Sequence, residues 1–211
     1  AYFAKKIAIS RETSRVYFPE GKTVLTGNPV PKDVINKRPL KSLPGNPVIL
    51  ITGGQSGSRS INEAIEKILV NLLKNYKVIH LTGIHDEEKF INIRAKLASN
   101  YKKRYTVYGI VDPGKYNRLF NFSAILISRA GANTVSKIVA SSKPSLLIPL
   151  PISYLNEQQK NALFAKEFGG SRILNQDDLN PENLLFEIDY LQKNWEKIKN
   201  RLPLRENPDI H

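Results

Sequence analysis

Short apolar runs alternate with helical patterns from residue 47 onward, and this alternation constrains the fold more than any other feature of the sequence. Six runs are too short and too evenly apolar for amphipathic helices, which indicates strands buried on both faces. They are PVILITGG (47–54), KVIHLTG (77–83), YTVYGIV (105–111), AILISRAG (124–131), PSLLIPLP (144–151) and SRIL (171–174). The pattern predicts an α/β fold, a doubly wound, Rossmann-like parallel sheet with right-handed crossovers.

Helical spacing fills the segments between these runs. A capping box of Ser60 and Glu63 is predicted to open the first helix, whose apolar positions are Ile61, Ala64, Ile65, Ile68, Leu69, Leu72 and Leu73. Phe90, Ile93 and Leu97 mark a second helix. Asn180 as N-cap and Pro181 in the first turn open a last one, which carries Leu184, Leu185, Ile188, Leu191, Trp195 and Ile198.

The first 46 residues follow a different pattern. Two strand patterns, KIAIS (6–10) and TVLTG (23–27), enclose a polar helical stretch, and a run rich in proline and glycine (27–47) then predicts a linker. We expect the two strands to be the last strands of a preceding domain. The predicted organisation is therefore a domain remnant with linker over 1–46, a main domain over 47–200 and a C-terminal tail over 201–211.

Composition excludes several classes of site. The chain has no cysteine, and its three histidines, His80, His85 and His211, do not have metal-ligand spacing, so we expect no protein-bound metal.

No apolar run approaches the roughly 18 residues of a membrane span, and we expect a cytoplasmic protein. A net charge of +13 attracts phosphates in general. Because the cations are scattered without interleaved aromatic residues, they favour a solvated basic face or contact with an anionic membrane over nucleic-acid binding.

Two glycine-rich loops follow predicted strands, namely TGGQSGSRS (52–60) and SRAGANTVS (128–136). In a doubly wound sheet, ligands bind beyond the carboxyl ends of the strands. Glycine lets the backbone approach a ligand closely, and amides at a helix N-terminus favour an anion. Neither loop fits the P-loop or the dinucleotide fingerprint. The loops predict an anion site, although the need for tight turns alone would also explain either of them.

Taken together, GGQSGSRSIN, SRAGANTVSKI, KPSLLIPLP and NEQQKNA resemble, in order and spacing, the C-terminal donor-binding domain of the MurG-like family of GT-B glycosyltransferases. The resemblance runs from KKIAIS to about residue 185. It implies the C-terminal half of a GT-B fold, with residues 47–200 binding UDP-N-acetylglucosamine as donor substrate and without a further cofactor. It also implies transfer to a lipid-linked acceptor, lipid I to lipid II of peptidoglycan, through an N-terminal domain, at the inner face of the cell membrane.

The same resemblance implies a set of donor-binding residues. Gly54 and Gln55 would lie near the sugar or diphosphate, and the backbone of Val111 would hold uracil. Gln158 and Asn161 would contact the sugar, although an exposed helix position alone would also explain Gln158. After Gly131, the second loop would present amides and a hydroxyl to the diphosphate through Ala132, Asn133 and Thr134. The implied donor-binding stretch continues through Val135, Ser136 and Lys137.

Two positions depart from the family pattern. Lys137 replaces a glutamate that accepts hydrogen bonds from the ribose, and a lysine has no acceptor. Pro31 follows GNPV where the family has an arginine, and the next residue, Lys32, restores the charge without the planar fork of a guanidinium. These departures keep a second hypothesis open, a degenerate nucleotide-binding or regulatory module, with a basic nucleic-acid-binding protein as a third.

The catalytic residues are not identified by the sequence. The family's glycine-rich, histidine-bearing acceptor loop has no counterpart in these 211 residues, and we assign neither His80 nor His85 a catalytic role. Sugar transfer needs the acceptor hydroxyl, its base and the donor brought together. We therefore expect this chain alone to bind donor without turning it over.

Overall fold

A six-stranded parallel sheet forms the centre of the molecule, in a computed structural model that describes residues 3–35, 40, 42–167 and 170–200. Two short strands, β1 (Ile7–Ile9) and β2 (Thr23–Leu25), pair in parallel in a separate sheet and are joined through a 3-10 helix, Glu12–Tyr17. The main sheet contains β3 (Val48–Thr52), β4 (Lys77–Leu81), β5 (Tyr105–Tyr108), β6 (Ile125–Ser128), β7 (Ser145–Leu147) and β8 (Ser171–Ile173). All six predicted runs are confirmed as strands.

The strands of the main sheet lie in the order β5-β4-β3-β6-β7-β8. Every neighbouring pair is parallel, and β3 and β6 are buried along their whole length. A parallel sheet needs both faces covered, which is why its strands are apolar on both sides. The doubly wound, Rossmann-like prediction is confirmed.

Helices cover both faces of this sheet. They are α1 (Lys32–Ile35), α2 (Arg59–Asn75), α3 (Glu87–Lys96), α4 (Ser99–Lys102), α5 (Pro113–Phe122), α6 (Ala132–Ser141), α7 (Glu157–Glu167), α8 (Pro181–Lys193) and α9 (Trp195–Lys199). One hydrophobic cluster joins Ile49 and Ile51 of β3 to α2, α3, α8 and α9. The other joins Leu50 to α1, α5, α6 and α7. Alternate residues of one strand therefore serve opposite layers.

The predicted start of the helix after β3 is wrong. Its N-cap is Ser58, and Ser60 lies within the first turn. The Ser60 hydroxyl donates to the side-chain oxygen of Gln176 at 3.0 Å, and Glu63 forms an ion pair with Arg59. Long-range and neighbouring partners thus occupy both side chains of the expected capping box.

The last predicted helix is divided in the structure. Its start is confirmed, because the Asn180 side chain accepts from the Asn183 amide at 2.8 Å and Pro181 lies in the first turn. The helix breaks at Asn194, so Trp195 belongs to α9.

The run predicted as a linker contains α1, whose Val34 is buried against the sheet. The predicted tail, 201–211, lies outside the described residues. None of the described helices is long and apolar enough to cross a bilayer.

Candidate functional site

The two glycine loops emerge side by side at one edge of the sheet. Strands β3 and β6 are neighbours, with Thr52 opposite Ser128 at their carboxyl ends. The helices that follow them, α2 and α6, pack on opposite faces. This is the point where the strand order reverses, and the crevice outside the strand ends there is the usual ligand site of open α/β sheets.

Backbone geometry fixes the first glycine loop. Gly54 has a φ of +92°, and its amide donates to the Thr52 hydroxyl at 3.1 Å. Gly57 has a φ of +80°, and a side chain there would collide with the carbonyl oxygen of Thr82 in the loop after β4. Gln55 lies exposed at the tip of the loop. The glycines are therefore required by the turn itself, and Gln55 is free to meet a ligand.

The second glycine loop ends in an uncapped helix. Gly131 is the N-cap of α6, and no side chain caps this helix. Its φ of −67° is open to any residue, and a methyl group there would meet nothing within 4 Å. The amides of Ala132 and Asn133 in the first turn have no acceptor within the helix. Open space thus lies beside backbone donors that suit an anion.

An asparagine from the segment before α1 reaches the same helix. The Asn28 side-chain nitrogen donates to the Asn133 side-chain oxygen at 3.0 Å and to the Ser136 hydroxyl at 3.2 Å. Ser136 is buried, whereas Asn133 is exposed. Sequence reasoning gave Asn28 no role, although it belongs to the GNPV motif. The segment with Pro31 therefore begins in direct contact with the predicted donor loop.

Lys137 lies between two helices. Its ammonium donates to the Asn117 side-chain oxygen on α5 at 2.8 Å and lies 4.6 Å from the centre of the Tyr116 ring. The Asn117 nitrogen in turn donates to Asp33 at 3.2 Å. Burial lowers the pKa of Lys137, and the Asp33 carboxylate opposes this shift. The ammonium thus has protein partners, and its contact with a donor stays a prediction.

Gln158 and Asn161 brace the loops around the crevice. The side-chain oxygen of Gln158 accepts from the backbone amide of Leu150 at 3.0 Å. The backbone amide of Gln158 donates to the Ser153 hydroxyl at 3.2 Å. Asn161 is buried and donates to the Ala130 carbonyl at 3.1 Å. These bonds tie the start of α7 both to the loop after β7 and to the second glycine loop.

The remaining predicted residues differ in exposure. Val135 is buried in the core, Thr134 is half-buried, and Val111 packs against the cluster that contains Val135. Val111 follows β5 at the outer edge of the sheet, with β4 and β3 between that strand and β6. Among the predicted residues it is therefore the one set furthest from the paired glycine loops in strand order.

Arg129 has a role that the sequence analysis did not assign. Its half-buried guanidinium donates to the hydroxyls of Ser58 and Ser60, both at 2.8 Å, and to the Gln176 side-chain oxygen at 2.6 Å. It also donates to the carbonyls of Ile148 at 3.1 Å and Pro149 at 3.2 Å. Burial lowers the pKa of Arg129. The spacing of residues in the sequence did not indicate this role.

Protein partners hold the ring of His80 inside the fold. His80 is fully buried, and its ring nitrogens bond the Tyr105 hydroxyl at 2.9 Å and the Asn62 side-chain oxygen at 3.0 Å. Burial lowers the pKa of His80 to about 3, with a small opposing effect of Asp86. His85 is exposed. Within the part of the chain that the structure describes, no three histidine, cysteine or acidic side chains are grouped to hold a metal ion.

The model of the glycosyltransferase family 28 C-terminal domain matches residues 48–206. The chain belongs to this family. It is 34% identical over 88% of its length to a UDP-N-acetylglucosamine–N-acetylmuramyl-(pentapeptide) pyrophosphoryl-undecaprenol N-acetylglucosamine transferase of Lachnospira eligens, covering 52% of that protein. The transferase of the same name from Bacillus cytotoxicus is 31% identical over 94% of this chain and 55% of its own length. This family 28 chain thus spans about half the length of these relatives.

Solved structures share the fold of this family 28 domain. MurG of Acinetobacter baumannii aligns with a TM-score of 0.59 and 24% identity, over 81% of this chain and 48% of its own. Os79 of O. sativa, solved in complex with UDP, aligns with a TM-score of 0.67 and 13% identity, over 96% of this chain and 50% of its own. At these identities the likeness supports the GT-B fold, and the two proteins correspond to this chain over about half of their length.

Proposed function

We propose that this chain binds UDP-N-acetylglucosamine as the donor domain of a MurG-type transferase, whose complete protein transfers N-acetylglucosamine to a lipid-linked acceptor. The observation that carries the proposal is the meeting of two glycine loops where the strand order reverses, between β3 and β6. Membership of family 28 and the names of the relatives support the same substrate class.

The proposed donor position follows from the groups at this crevice. The diphosphate lies at the amides of Ala132 and Asn133, where the helix dipole and the uncapped N-terminus favour negative charge. Gln55 faces the sugar from the first glycine loop and Gln158 faces it from the start of α7. A side-chain amide can both donate to and accept from the sugar hydroxyls. Uracil is held by backbone groups near Val111.

Calorimetric titration with UDP, ADP and GDP tests the donor proposal. We expect UDP to bind most tightly and to raise the melting temperature, as a ligand of the native state does. The absence of any preference for UDP at millimolar concentration would contradict the uridine assignment.

Transfer needs more than this chain supplies. Because the 211 residues span about half the length of their relatives, we expect them to bind donor without forming product. The assay combines labelled UDP-N-acetylglucosamine with lipid I and measures lipid II. Robust product formation by the 211-residue chain would contradict this division of labour.

A lipid-linked acceptor and a net charge of +13 support peripheral contact with the anionic inner face of the cell membrane. Co-sedimentation with phosphatidylglycerol vesicles is expected at low salt and is expected to weaken at high salt, because surface charges are screened. Equal binding to neutral phosphatidylcholine vesicles would contradict an electrostatic contact.

The engagement of Lys137 by Asn117 favours a second candidate, a nucleotide-binding module that regulates without catalysis. The two candidates predict different activities for the complete protein. UDP binding together with lipid II formation supports the transferase, whereas UDP binding without product supports the regulatory module.

A further inference from the structure

Two guanidinium nitrogens of one side chain contact five acceptors in three segments at the carboxyl edge of the sheet. Arg129, which follows β6, donates to Ser58 and Ser60 at the end of the first glycine loop. It donates to Ile148 and Pro149 at the start of the loop that leads to Gln158. Its fifth partner is Gln176, in the 3-10 helix after β8. The guanidinium thus links the ends of β3, β7 and β8 through β6.

All five acceptors are neutral, and within the described ranges Arg129 takes part in no ion pair. The side chain is also half-buried beside Ser58, the N-cap of α2, where the helix dipole disfavours a cation. A partly desolvated charge in this position costs free energy that a neutral side chain would not cost. The contacts of the guanidinium with the three segments must offset this cost.

The acceptors remain bonded to one another without the guanidinium. Ser60 donates to Gln176 at 3.0 Å, and the hydroxyls of Ser58 and Ser60 lie 3.3 Å apart. Removing Arg129 would leave these two contacts but would cut the link between Ser58 and Ser60 and the loop after β7. The carbonyls of Ile148 and Pro149 would lose their bonds to Arg129. The start of the loop 149–157 would then be less constrained.

We propose that Arg129 is a positioning residue for donor binding, which holds the first glycine loop and the loop leading to Gln158 at a fixed separation. The planar fork of a guanidinium suits this task because its donors point in fixed directions towards several acceptors, whereas an ammonium is a point charge on a flexible stem. The inference rests on the proposed function, since the first loop carries Gln55 and the second leads to Gln158 at the start of α7.

Arg129→Met and Arg129→Lys test the proposal, with Arg172→Met as matched control. Arg172 also loses strong contacts when truncated, because it binds both carboxylate oxygens of Glu187, at 2.6 and 2.7 Å, and lies 4.3 Å from the Tyr190 ring. These contacts lie between the outer strand β8 and α8. Amide hydrogen exchange, melting temperature and affinity for UDP-N-acetylglucosamine are measured for each variant.

Arg129→Met is expected to speed exchange in both 53–58 and 150–158. It should weaken binding of UDP-N-acetylglucosamine at least about tenfold, a factor that corresponds to about 1.4 kcal/mol. Arg129→Lys should recover part of both losses, and Arg172→Met should change neither loop.

Unchanged exchange in either loop would overturn the proposal, as would faster exchange in both loops with unaltered donor affinity. Faster exchange throughout β3 and β6 would also overturn it, because it would mark a general loss of stability. If the wild-type chain bound no UDP-sugar, the proposed function would fail, and the exchange data alone would then decide whether Arg129 couples the loops.

Discussion

The ammonium of Lys137 on α6 donates to the side-chain oxygen of Asn117 on α5 at 2.8 Å. The side-chain nitrogen of Asn117 in turn donates to the carboxylate of Asp33 in α1. A lysine at this position thus connects three elements of one layer. The resemblance to MurG-like proteins predicts a glutamate here, whose carboxylate would meet Asn117 and Asp33 with the opposite charge. The packing of α1, α5 and α6 therefore suits the lysine.

Lys137→Met and Lys137→Glu measure the strength of this contact. Loss of the hydrogen bond to Asn117 is expected to lower the free energy of unfolding by about 1 kcal/mol in Lys137→Met. Lys137→Glu should cost more, because it brings a second carboxylate towards Asp33. Urea unfolding at pH 7 gives both values. A glutamate variant as stable as wild type would show that this contact does not stabilise the fold.

His80 predicts a loss of stability in acid. Burial lowers its pKa from 6.5 to about 3, so below pH 6.5 the unfolded chain takes up a proton that the folded chain cannot. The free energy of unfolding should therefore fall by up to about 1.4 kcal/mol per pH unit between pH 6.5 and 3 on account of this residue. Urea unfolding at pH 7, 6 and 5 follows the slope.

The matched variants for this slope are His80→Gln and His85→Gln. We expect the first to be less stable at pH 7, since it disturbs the bonds to Tyr105 and Asn62, and to show a shallower pH dependence. The exposed His85 should leave the slope unchanged. An identical slope in wild type and His80→Gln would refute the assignment.

Gly131→Ala separates ligand approach from fold stability. The added methyl group meets nothing within 4 Å of the protein. Alanine is a poorer N-cap than glycine, but it lowers the conformational entropy of the unfolded chain, and the two effects offset each other. The melting temperature should therefore stay close to that of wild type. UDP affinity should fall at least about tenfold, or about 1.4 kcal/mol, because the diphosphate would occupy that space. Gly45→Ala, also in open space, serves as control. Unaltered UDP binding in Gly131→Ala would exclude close contact at this loop.

Gln158→Glu distinguishes a contact with the sugar from the bracing of the loop. A glutamate keeps an oxygen that accepts from the Leu150 amide but loses the amide donor. We expect an unchanged melting temperature, weaker binding of UDP-N-acetylglucosamine and unchanged binding of UDP, all measured by calorimetry. Gln159→Glu controls for the added charge. A parallel loss for UDP and UDP-sugar would place the effect outside the sugar.

Much of the layered architecture could be predicted from the chain. Each of the six apolar runs became a strand, because residues buried on both faces leave a continuous apolar signature. Asn180 and Pro181 correctly marked the start of α8, since both act through their immediate neighbours. The capping box of Ser60 and Glu63 was wrong because Gln176, far along the chain, binds Ser60.

The candidate site was predictable only in part. Gly54 and Gly57 of the first glycine loop require positive φ, a local property of the backbone. Gly131 of the second loop does not. The contacts of Arg129, Asn28 and Lys137 were not predictable from spacing. Their partners lie on other elements of the fold. The sequence around a polar side chain does not show whether that side chain contacts solvent or a distant residue.

The sequence by itself determined the elements, their apolar faces and the chemistry of the two loops, since these depend on residues close together along the chain. Tertiary structure alone decided that β3 lies beside β6, which brings residues near 54 and 131 to one crevice. It also decided that Arg129 reaches Ser58 and Gln176, 71 and 47 residues away. Strand order is set by the packing of crossover helices on both faces, and no local pattern encodes which strands become neighbours.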